Sequence, residues 1–149
     1  MILATVLTLA CAVTAPNGTT AADDNQSSSY GTRQLSTLLW PEGTIEFRPG
    51  GPGFRTRDDA LGMKFPWWRG DGVRGHLRIE GRRLDGVAPS LRSEFTDYGD
   101  RGFQATYIIF PTPGCWKVTG RAGDASITFV TNVVRIGAGP AWLREPRYR

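Results

Sequence analysis

The chain has 149 residues, enough for one domain with a real core. Its 40% hydrophobic and 21% charged content argues against a disordered chain. A net charge of +4, carried by arginines scattered among acids with Lys64 and Lys117 the only lysines, argues against the basic stripe of a nucleic-acid binder.

Residues 2–15 are apolar and uncharged, and small residues follow, as in the hydrophobic region and cleavage zone of an export signal. The run is too short for a bilayer span, which takes about 20 apolar residues. Two processing routes are expected. Cleavage after Ala15 or Ala21 would release a soluble chain, whereas Thr8-Leu9-Ala10-Cys11 resembles a lipobox, which would make Cys11 a lipid attachment point and tether the protein to a membrane. Either way Cys115 is read as the one cysteine of the folded part, which leaves no intradomain disulfide. Residues 1–21 are therefore assigned to the signal and the polar stretch 22–37 to a flexible tether.

From residue 38 to 137 short apolar runs alternate with Gly/Pro turns. Residues 44–48 alternate apolar and charged, then stop at Pro49-Gly50-Gly51-Pro52-Gly53. Residues 61–69 end at Gly70-Asp71-Gly72. Residues 76–84 form a strand with Leu77 and Ile79 inward and a bulge near Gly81, and residues 90–95 add a short one. Residues 103–110, 115–121 and 126–136 complete the set, and residues 138–149 are a basic tail on which Trp142 folds back. No stretch carries a helical apolar period. About seven short strands at this spacing predict an all-β fold, an immunoglobulin-like antiparallel β-sandwich. The expected core is Phe47, Leu77, Ile79, Ile108, Phe110, Trp116, Ile127 and Phe129.

Groups able to do chemistry are sparse. His76 is the only histidine, which is too few for a copper or zinc site even with Met63 and Cys115 nearby, so no cofactor and no metal is expected. Asp58-Asp59 and Asp97 with Asp100 read as turn residues. Glu46, Glu80 and Glu94 leave open a glycosidase, and the alternative function is a carbohydrate-active or cell-envelope hydrolase that uses Glu or Asp residues near Trp67 or Trp68. The strongest functional signal is Pro66-Trp67-Trp68-Arg69. Adjacent tryptophans on a strand point to opposite faces, so one can fill the core while the other, beside Arg69, stacks on a sugar ring or anchors a protein partner. Trp67, Trp68 and Arg69 are the candidate binding residues.

Phe110-Pro111-Thr112-Pro113-Gly114-Cys115-Trp116-Lys117-Val118, with Gly102-Phe103-Gln104 before it, resembles a pattern of uncharacterised bacterial exported or lipoprotein domains of the Ig-like β-sandwich type. The resemblance runs from Trp40 to Ile136. It implies the fold and an envelope location, and it brings no catalytic residues. The expectation is a monomeric, exported, non-enzymatic binding or accessory module, at the cell surface or in the periplasm, with an envelope protein or glycan as partner and no nucleic acid.

Overall fold

A computed structural model describes residues 10–17, 28–95 and 98–144. Within them two β-sheets pack face to face, an all-β sandwich with a single 3-10 turn over Pro41–Gly43. The strands are β1 (Ser28–Gly31), β2 (Leu35–Leu39), β3 (Thr44–Phe47), β4 (Phe54–Thr56), β5 (Leu61–Arg69), β6 (Arg78–Arg83), β7 (Arg92–Glu94), β8 (Phe103–Phe110), β9 (Gly114–Ala122), β10 (Ala125–Arg135) and β11 (Leu143–Arg144). The smaller sheet has the order β3-β10-β9-β6. In the larger one β5 is central: β8 and then β7 lie on one side, and both β2 (with β1) and β4 (with β11) lie on the other. Pairing is antiparallel except for β3 with β10 and β4 with β11.

Among the described residues eleven strands replace the roughly seven expected, and the additions are short or polar. The sheet starts at Ser28, inside the stretch read as tether. There β2 turns Leu35, Thr37 and Leu39 inward, and β1, without an apolar pattern, is held by its ladder to β2. The Tyr30 hydroxyl also donates to the Thr128 carbonyl at 2.6 Å. The tail likewise contributes β11, and Trp142 packs edge-on against Phe54 with centroids 5.4 Å apart. His76, placed on a strand by its alternation, lies instead in the exposed loop before β6.

A proline inside a central strand removes a ladder donor, and the sheet is built around that gap. β5 pairs with β4 only at Leu61 and Gly62 and with β2 only from Trp67 to Arg69, so the sheet is open on this side between those two contacts. Backbone groups alternate sides along an antiparallel strand. Gly70 donates to Gln34 of the β2 side and Arg69 to Gly102 of the β8 side, so the even-numbered peptides, Pro66 included, face the opening. The missing N–H therefore falls where no strand needs it. The Pro66 carbonyl is still satisfied, by the Thr37 hydroxyl at 2.7 Å.

The core lies between the sheets. Trp67, Phe65, Met63 and Leu61 of β5 meet Trp116, Val118, Phe129 and Ile127 of the smaller sheet. Seven of the eight residues expected in the core are buried, and Ile79 packs partly buried against them. Both buried indoles are hydrogen-bonded, Trp116 Nε1 to the Thr112 carbonyl at 3.0 Å and Trp67 Nε1 to the Thr106 hydroxyl at 3.1 Å. Gly120 has no Cβ because the Trp67 ring occupies that space. Trp116 also meets Phe110 edge-to-face at 5.6 Å. Trp116→Ala is expected to destabilise the domain by about 3–5 kcal/mol, measured by denaturant unfolding, with Ile79→Ala costing clearly less.

Candidate binding face on the larger sheet

The phase of β5 decides which of the adjacent tryptophans can meet a partner. Leu61, Met63, Phe65 and Trp67 share the inner face, so Lys64, Pro66 and Trp68 share the outer one. Trp67 is wholly buried, and Trp68 is 39% exposed. Arg69, back on the inner phase, is buried at the end of the sandwich and grips four carbonyls. Its Nε donates to Gly102, its Nη1 to Gly75 and Gly99, and its Nη2 to Arg101, all at 2.9–3.2 Å. Of the three candidate residues, Trp67 builds the core and Arg69 staples the loop around 99–102. Trp68 alone faces solvent.

Two residues that the sequence did not single out join it. Register puts Phe103 of β8 opposite Trp68, with ring centroids 5.7 Å apart, and Tyr98 meets Phe103 at 5.8 Å. All three are between 39% and 48% exposed. The rings are tilted or perpendicular, at 53° and 86°, so they form a projecting cluster rather than a level platform. Register extends the face to Ser36 beside Trp68 and to Ala105 beside Pro66. Next to it, the opening in the sheet forms a notch of about 460 Å³ lined by Leu38, Trp40, Pro52, Lys64 and Pro66.

The opposite end of this outer face is covered by the chain itself. Arg144 lies over Tyr107 at 4.3 Å and over Phe54 at 5.1 Å, and it pairs with Glu94 at 3.1 Å. The bare half is thus bounded by the half that the C-terminal strand occupies.

The glutamates do not converge. Glu46 lies on β3 and Glu80 on β6, the two edges of the smaller sheet, whereas Glu94 is on β7 of the larger one. Each is paired with an arginine: Arg48, Arg121 and Arg144 respectively. Asp58 and Asp59 turn to different partners, Arg92 at 2.9 Å and Arg135 at 2.7 Å. Among the described residues no three His, Cys, Asp or Glu side chains come together. Asp97 lies outside the described residues.

The expectation about cysteines is corrected. Cys11 and Cys115 are joined in a disulfide across 104 residues, so the folded domain does contain one. An apolar run before Cys11 points to its removal or acylation, which hides it as a partner for Cys115. Asp85 secures the same point of β9, accepting from the Cys115 N–H at 2.9 Å and from Arg83 at 2.9 Å. Those two donors, in that order, hold its carboxyl below the usual carboxylate range.

Comparison with known protein families, characterised proteins and solved structures finds no match for this chain.

Two predictions follow from these contacts. Arg69→Met should lower stability by about 1.5–3 kcal/mol, because four part-buried carbonyls lose a shared charged donor. Chemical denaturation measures this, and hydrogen exchange should show the loss concentrated around residues 99–102. The second concerns acid. Arg92, and after it the Thr56 hydroxyl, lower the Asp58 carboxyl from 3.8 to about 2, and Arg135 lowers Asp59. A carboxyl depressed in the folded state stabilises above its unfolded pKa and loses that contribution as pH falls through the folded value. Melting temperature should therefore fall between about pH 4 and pH 2, and Asp58→Asn should flatten part of that slope. Both ion pairs are exposed, so added salt should shrink the effect.

Proposed function

We propose that this protein is an exported, non-enzymatic binding or accessory module of the cell envelope, and that it takes a protein partner on the bare half of the larger sheet. The observation that carries the reading is the contact cluster of Trp68, Phe103 and Tyr98, three large aromatics 39–48% exposed that touch one another on one face of the larger sheet. Clustered aromatics of this kind are the residues from which interface hot spots are made. Their mutual tilt favours insertion between side chains of a protein over flat stacking on a sugar chain. The notch beside Lys64 adds an apolar recess with a cation at its rim.

The hydrolase reading gains no specific support, since Glu46, Glu80 and Glu94 stand on separate strands and each is paired with an arginine. The test is chemical cross-linking in the native envelope followed by mass spectrometry, on the wild type and on Trp68→Ala and Phe103→Ala. Either substitution should abolish a specific protein cross-link while moving the melting temperature only slightly, because both side chains lie outside the core. Cross-links unchanged in both variants would overturn the reading. Retention on purified cell-wall polysaccharide that depends on Trp68 would replace the protein partner with a glycan.

A further inference from the structure

The segment from Ala10 to Asn17 is built into the domain at four separate points. Cys11 is bonded to Cys115 of β9. Thr14 continues the smaller sheet: its N–H donates to the Val130 carbonyl at 2.9 Å, and its hydroxyl accepts from the Val130 N–H at 2.8 Å. This is the edge of β10 that β3, paired only from Asn132 to Arg135, leaves open. Val13 sits over Gly43, a buried residue at φ +68°, where a Cβ would come 2.5 Å from the Val13 Cβ. Asn17 grips β1 with both ends of its carboxamide, its Nδ2 donating to the Gly31 carbonyl at 2.8 Å and its Oδ1 accepting from the Gly31 N–H at 3.1 Å.

Removal of this strap would leave specific gaps. A cut after Ala15 would strand the Cys115 thiol, unpair both backbone groups of Val130 and uncover Gly43. A cut after Ala21 would in addition free the Gly31 backbone from Asn17. Acylation of Cys11 would occupy the sulfur that Cys115 needs. The export signal and this strap cannot be the same stretch of mature chain.

We infer that residues 10–17 are a structural strap retained in the mature protein, that any processing cut falls before Cys11, and that Cys11 is half of a cystine rather than a lipid attachment site. The bond forms when the Cys11 and Cys115 thiols give up two protons and two electrons to a disulfide-donating oxidoreductase of the export compartment. It proceeds through a mixed disulfide and leaves the donor as a dithiol. This inference rests on the exported reading for its oxidant, and it does not depend on the aromatic face or on its partner.

The experiment is intact-mass and N-terminal analysis of the full chain recovered from an exporting host, alkylated before and after reduction. The expected product begins at or before Cys11, carries no acyl chain, and takes up two alkyl groups only after reduction. A mature N-terminus at Pro16 or Ala22, or an acylated Cys11, would overturn the proposal. A Cys11→Ser variant supplies a second reading on folded protein. Cys115 should become open to alkylation, and the Val130 amide should exchange at least about tenfold faster while the Val118 amide stays protected. Unchanged exchange at Val130 would equally overturn it.

Discussion

One strand sets the terms for the rest of this molecule. β5 is central to the larger sheet, and its two-residue period separates Trp67 from Trp68 with no freedom to exchange them. A slip of one residue would put Lys64 and Pro66 between the sheets and turn Phe65 and Trp67 to water. The cost of that slip keeps Trp68 outside, although so large an apolar side chain would otherwise be driven inward. The projecting aromatic cluster is thus a by-product of how firmly the opposite face is specified.

Pro66 adds a second constraint on the same strand. A proline in a central strand usually argues against the strand itself, yet here the neighbouring strands part around it. β2 and β4 each take one end of β5 and leave the middle open. The notch and the aromatic cluster therefore have a common origin in the pattern Lys64-Phe65-Pro66-Trp67-Trp68, and they lie on the same side of the sheet.

Much of this fold was legible in the chain. The alternation of residues 44–47, the long apolar runs of β8 to β10 and the Gly/Pro turns between them gave the fold class and nearly all of the expected core. Which of Trp67 and Trp68 is exposed stayed open in the chain alone, although Lys64, on the wet side of β5, shares the parity of Trp68. Phe103 and Tyr98 were not readable. β8 ends with Ile108, Ile109 and Phe110 buried in succession, which blurs its parity, and Tyr98 stands in a turn rich in glycine and aspartate. β1 depends on backbone pairing with the adjacent β2 and β11 on pairing with the distant β4, and neither carries a pattern of its own. The N-terminal strap was hidden for a different reason: an apolar stretch followed by small residues looks the same whether a peptidase or a sheet edge receives it.

The strap also bears on the order in which the chain can acquire its structure. Cys11 meets Cys115, Thr14 meets Val130, and β3 lies parallel to β10, so these early residues wait for neighbours in the last third of the sequence. Contacts of such span delay collapse to a unique form, because the loop must be closed before it is rewarded. A nascent chain of this topology can complete neither sheet until its last third has been made, because β8 and β11 belong to one sheet and β9 and β10 to the other.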